Sequence, residues 1–372
     1  MADLLNGACA LAEQADQEFE VLIPFLSVPD HVHLASHLDE WLNPSQTAAW
    51  FNDSGFHGPP RHNGAFLFRF TAKDPVAAAR RAGAMVRRLE ARRSYARGSA
   101  YAAGRNRLQA VGQVWIKHQA NPLRLTPPNR GVSVLSLVSE KTMYSVNQSD
   151  RLDEALELAA PLNDGSASTA AAGGWAAVES LLYHPGDELD VAEGRAVVAD
   201  RLAAIVVCSW PRAELTTLSY RHEPEAPDTL SRRLGCCNTN MERSRVVADA
   251  LSEGDDASLV LKSPHELAAA ERMKSVLKNP HVQLNDVRRM LSGVFRRLYR
   301  QRNIVVHGGS TETIALDSAL RTTAPLIGAA LDRLVHAQLI DNENPLTLAA
   351  RAENSLALVG DPLGPDITRL LG

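Results

Sequence analysis

A chain of 372 residues has ample material for two or three domains with cores of their own. Its 45% hydrophobic and 22% charged content is that of an ordinary globular protein, and a formal charge of -4 excludes a uniformly basic nucleic-acid binder while leaving room for a local basic site. No apolar run approaches the ~18 residues of a membrane span, so no membrane partner is expected.

The chain opens MADLLNGACALAEQADQEFE, whose acids argue against a secretory signal peptide. Cys9, Cys208, Cys236 and Cys237 show no CxxC spacing, and a disulfide between the neighbours Cys236 and Cys237 would be strained. Reduced thiols and a cytoplasmic location are the expectation. Four stretches then read as strands, because they are apolar or alternating and bounded by Gly, Pro or Asn: 19–28, 64–72, 108–116 and 131–139.

Between the second and third strands, Asp74-Pro75 supplies a helix cap and first position for an alanine- and arginine-rich helix over 75–97. Its Arg80, Arg81, Arg87, Arg88, Arg92, Arg93 and Arg97 are spaced so that several share one side, and Tyr95, Tyr101, Arg105 and Arg107 follow. Such a face is either solvated and balanced by acids elsewhere, or a track for an RNA backbone with rings for bases. In DHVHLASH, Asp30 and His31 precede His33 and His37, which a helix would place one turn apart; with no third ligand evident, no metal and no cofactor are assigned. These elements predict an α+β domain over 1–162, with sensing or RNA binding as its candidate roles.

NDGSASTAAAGG (163–174) is small and polar enough for a linker. Beyond it the helical period dominates, over 170–183, 191–208, 211–221, 239–253, 263–278, 284–303, 312–339 and 345–357. The second part, 166–372, is therefore expected to be all-α, and the fold class of the whole is α+β.

The chemistry concentrates at the end of the 284–303 helix. Val287, Leu291, Val294 and Leu298 form one apolar stripe, while Arg288, Arg289, Arg296, Arg297, Arg300 and Arg302 fill much of the rest. Arg296, Arg297 and Arg300 admit two readings, a solvated face complementing the helix dipole or substrate-binding groups. Then comes Arg302-Asn303-Ile304-Val305-Val306-His307, closed by Gly308-Gly309. If the helix continues, Asn303 and His307 share a face, and the long stem of Arg302 brings its guanidinium forward. A guanidinium forks onto phosphate oxygens, and an imidazole moves protons near neutrality. Metal-free RNA cleavage needs a base for the 2′-hydroxyl and an acid for the departing 5′-oxygen. One histidine cannot easily do both, whereas two copies about a two-fold axis can.

This stretch resembles the signature of the HEPN superfamily in its commonest form, RNxxxH, and the earlier GGWAAVESLLYH (173–184) resembles the opening helix of ApeA-like HEPN domains. The resemblance covers roughly residues 166–340, leaving the segment 224–265, the tail after 340 and the N-terminal half unassigned. It implies a helical domain that dimerises and cleaves RNA without metal, with Arg302, Asn303 and His307 catalytic. Glu179 would face that motif, a role that stands beside the alternative of a solvated helix acid. Relatives of this kind act in phage defence, in toxin–antitoxin pairs and in RNA processing, so the implied partners are RNA, a second copy of the chain and a regulatory protein or phage trigger. Non-catalytic RNA or partner binding is the competing expectation.

Overall fold

The computed structural model describes residues 13–28, 39–56, 58–95, 108–125, 129–144, 151–187, 191–253, 259–308 and 314–372. The chain divides into two compact units, Met1–Pro128 and Asn129–Gly372. Among the described residues the first is a sheet flanked by helices and the second has helices and no strand, so the α+β expectation holds at that level.

The first unit contains β1 (Gln17–Ser27), β2 (Trp41–Leu42), α1 (Pro44–Asp53), β3 (Ala65–Ala72), α2 (Pro75–Tyr95), β4 (Gln109–Ala110), β5 (Gln113–Ile116) and β6 (Leu123–Arg124). The strands form an antiparallel sheet in the order β2-β3-β1-β5-β6, with β4 also pairing β1. Alternation along β1 sends Val21, Ile23 and Phe25 to one face and Leu22 to the other. The first set packs with Ala78, Ala82 and Val86 of α2, the second with Trp50 and Phe51 of α1. Both faces are covered, which is why β1 reads as an unbroken apolar run. The Asp74 carboxylate accepts from the Ala77 amide at 2.8 Å, so α2 begins as its sequence requires. Gly83 lies so close to the sheet that a Cβ would sit 2.3 Å from the Leu125 carbonyl oxygen. The strand expected over 108–116 is broken into β4 and β5 at Val111-Gly112, where Gly112 adopts a positive φ of 89°.

The second unit contains α3 (Ser136–Ser139), α4 (Arg151–Ala159), α5 (Pro161–Asp164), α6 (Ala167–Leu182), α7 (Val191–Arg221), α8 (Thr229–Gly235), α9 (Asn240–Glu253), α10 (Pro264–Lys278), α11 (Pro280–Gly308), α12 (Ile314–Leu339) and α13 (Pro345–Leu358). Four expectations are corrected. Residues 131–139 are not a strand: Val132 and Val134 pack on the helical core, and the Ser136 amide donates to the Asp332 carboxylate of α12 at 2.7 Å. The boundary falls at 128/129 rather than near 162–166, because Arg130 donates to the carbonyls of Pro161, Leu162 and Gly165 and ties the intervening chain to the helices. Most of the supposed linker, 167–174, is the first half of α6, and 163–164 end α5. Its small residues mark close packing: a Cβ on Gly173 would lie 2.3 Å from the Leu158 carbonyl oxygen, and one on Gly174 would lie 2.5 Å from Leu162. Finally, 191–208 and 211–221 are one helix, α7, which runs through Pro211.

Candidate active site

α11 follows α10 after the single residue Asn279, with Pro280 at the position where a missing amide hydrogen costs least. Its inner stripe buries Leu284, Phe295 and Leu298, and Val287, Leu291 and Val305 pack against the same core. The opposite side leaves Arg289, Met290, Arg297, Arg300, Ile304 and His307 exposed. The helix continues to Gly308, so the whole of Arg302–His307 is helical.

At about 100° per residue, Arg302 points along the inner stripe, Asn303 lies about 100° further round, and His307 about 40° beyond that. The motif thus straddles the border between core and solvent. Arg302 is half-buried, and its Nε is enclosed with no hydrogen-bond acceptor. Its Nη1 donates to Asn303 Oδ1 at 3.1 Å, which turns the guanidinium toward the His307 side. Among the described residues no carboxylate pairs with Arg302. A guanidinium whose acceptor is a neutral amide keeps its full charge for an incoming anion. His307 is exposed in the last turn of α11.

α6 supports this end of α11. Trp175 is completely buried, and its ring packs 5.0 Å from that of Tyr299, three residues before Arg302. Glu179 stands one turn beyond Trp175 on α6 and is half-buried, with interactions of its own.

The three basic residues upstream divide. Arg296 is committed to an internal contact, donating from Nη2 to Asp200 Oδ2 of α7 at 2.8 Å, while Ser292 donates its hydroxyl to the other oxygen of that carboxylate. Arg297 and Arg300 are exposed and form no ion pair among the described residues. They remain available to a substrate.

Other chemistry lies elsewhere or is excluded. Cys208 is enclosed, and burial pushes its thiol up to about 12, far from the range of a working nucleophile. Among the described residues no three His, Cys, Asp or Glu side chains converge as metal ligands. Residues 30–37, with Asp30, His31, His33 and His37, lie outside the described residues, as do Arg97, Tyr101, Arg105 and Arg107. The sequence reading missed one cluster, a buried His222 whose Nδ1 accepts from the Val260 amide at 3.1 Å, fixing the ring hydrogen on Nε2 beside Asp228 Oδ1 at 3.1 Å. Asp228 caps α8 through the Ser231 amide at 2.7 Å, and the Asp-x-x-Ser spacing was the signal that could have found it. No helix among the described residues is long and apolar enough to cross a membrane. Comparison with known proteins finds no matching family model, no similar curated protein and no similar solved structure.

Proposed function

We propose that the helical unit is a metal-independent endoribonuclease of the HEPN type, acting as a two-fold dimer. The observation that carries this reading is Arg302: a half-buried guanidinium that, among the described residues, pairs only with neutral Asn303, in the same helical turn and a half as an exposed imidazole. The guanidinium binds the scissile phosphate. One His307 takes the proton of the 2′-hydroxyl as its oxygen attacks phosphorus, and the partner's imidazole protonates the 5′-oxygen as the phosphorus–oxygen bond breaks. The products are a 2′,3′-cyclic phosphate and a 5′-hydroxyl, with no net change in protons. Exposed Ile304 and Val306 alternate with the motif and supply apolar surface for a second copy. Arg297 and Arg300 extend the positive field along the exposed side. Phage defence and toxin action are the settings in which such an enzyme would operate, with its trigger or antitoxin as partner.

The test is RNA cleavage in EDTA by wild type, Arg302→Ala and His307→Ala, each verified as folded by circular dichroism. Loss of cleavage in both variants supports the reading, and undiminished cleavage in both overturns it. One observation favours a non-catalytic RNA-binding or partner-binding alternative: His307 has no hydrogen bond to orient its ring among the described residues. Tight RNA binding without cleavage under all conditions would select that alternative.

A further inference from the structure

The N-terminal unit carries its own charge anomaly. α2 holds six arginines, Arg80, Arg81, Arg87, Arg88, Arg92 and Arg93, against one acid, Glu90, in a chain whose net charge is -4. The helical period sorts five of them into two adjacent rows. Arg80 and Arg87 fall within about 20° of each other, and Arg81, Arg88 and Arg92 within about 40°. The buried face is elsewhere, at Ala78, Ala79, Ala82 and Val86. Arg81 is anchored, donating to the Thr71 carbonyl at the end of β3. Arg80 and Arg87, which share one row, have no ion pair among the described residues and stand about 10 Å apart along the helix. Like charges held this close repel one another, and a polyanion relieves the repulsion.

Beside the ridge is a cleft of about 240 Å³. Val86 and Leu125, both buried, are among its apolar lining; Arg87 and Glu90 reach it from α2, and Gln109 from β4. It is smaller than the pockets that enclose drug-sized ligands, which run from about 300 Å³ upward. Its lining combines apolar surface with a guanidinium, a carboxylate and an amide, which is the chemistry that receives one unstacked base: a slot for the ring and donors and acceptors for its edge.

We propose that α2 and this cleft form a binding site for single-stranded RNA, with Arg80 and Arg87 on phosphates of the strand and one base in the cleft. A single strand fits where a duplex does not, because the cleft needs a base free of its stack. The choice of RNA over DNA rests on the ribonuclease reading of the helical unit; the polyanion site itself does not.

The experiment uses the full chain carrying His307→Ala, so that cleavage does not obscure binding, and a fluorescently labelled single-stranded RNA of mixed sequence titrated at several salt concentrations. Arg80→Glu and Arg87→Glu are each expected to weaken binding several-fold. The double variant should weaken it at least tenfold and flatten the slope of log affinity against log salt by about 1.4, at roughly 0.7 for each single-strand phosphate no longer neutralised. Arg61→Glu, which reverses an exposed charge of the same unit away from α2, should bind like the parent. An abasic strand of equal length should retain the salt slope and lose part of the affinity. Affinity and slope unchanged in the double variant would overturn the proposal, and would leave an acidic protein as the candidate for this face. Equal binding of abasic and ordinary strands would overturn the base cleft. Equal affinity for single-stranded DNA would overturn only the choice of RNA. Because binding is read in a variant without the motif histidine, failure here is separate from failure of the cleavage reading.

Discussion

Asp200 of α7 and Arg296 of α11, 96 residues apart, meet at 2.8 Å across two packed helices, and Ser292 shares the same carboxylate. The arginine sits two turns before the motif, yet its charge is already matched. Arg296→Ala is therefore expected to leave RNA binding within about twofold of wild type, and to lower stability by no more than about 1 kcal/mol, since both partners are partly exposed. Arg297→Ala and Arg300→Ala, which break no ion pair, should leave stability unchanged and weaken RNA binding. Urea melts and salt-dependent binding on the three variants check the division. The reverse pattern, with Arg296 dominating binding, would refute it.

Trp175 holds the motif end of α11 by packing alone. Its indole Nε1 is buried and has no acceptor, so no hydrogen bond disappears when the nitrogen is removed. Trp175→Phe should cost about 1–2 kcal/mol, for the volume removed beside Tyr299, and Trp175→Ala about 3–5 kcal/mol for the cavity. Chemical denaturation measures both. A Phe variant as damaged as the Ala variant would mean that the indole nitrogen does have a partner.

Where the sequence was readable, periodicity and capping carried the information. Asp74-Pro75 and the stripe Val287-Leu291-Leu298 each state a local rule, and each element stands within a few residues of its expected place. The errors fall where packing overrides composition. NDGSASTAAAGG has the small residues of a linker, but Gly173 and Gly174 are small because α4 and α5 press against them, and only the tertiary packing distinguishes the cases. Likewise GVSVLSLVS alternates like a strand, and among the described residues of the helical unit no sheet edge receives it. At the candidate site, residue identity was legible but commitment was not. Arg296 and Arg297 are adjacent arginines of the same helix, and only the position of Asp200 on α7 separates a cross-helix tie from an available charge.

Asp228 gives a pH-dependent test of the α8 cap. The Ser231 backbone amide, followed by the His222 ring and the Ser231 hydroxyl, holds its carboxyl at about 2, below the usual 3.8, against an opposing contribution from burial. A folded-state value below the unfolded one means that the charged form stabilises the fold above about pH 4, and that this contribution is lost as pH falls through 3.8 toward 2. Asp228→Ala should destabilise the protein at pH 7 by about 1 kcal/mol, in the range of a removed helix cap. The difference from wild type should shrink as pH falls from 4 to 2. Thermal melts across that range decide it, and a difference that grows on acidification would reverse the assignment.

The composite site makes the sharpest demand. Each chain carries one motif histidine, and cleavage needs one group to take a proton and another to give one. If two motifs form one cleft, a dimer of Arg302→Ala chains holds two imidazoles without a motif guanidinium, and a dimer of His307→Ala chains the reverse. Both should be inactive. A mixed dimer of the two retains one of each. Losing one acid–base partner costs about 10²–10⁴-fold, so the mixed dimer should cleave RNA that much more slowly than wild type and still exceed either parent. Ile304 and Val306, 46% and 50% exposed on the same helical end, are the apolar groups available to the two-fold contact. Ile304→Glu should therefore shift the protein toward monomer in analytical ultracentrifugation and reduce cleavage in proportion, with recovery at high protein concentration. A mixture no more active than the sum of its parents would count against the shared cleft. A monomer fully active at nanomolar concentration would end the idea.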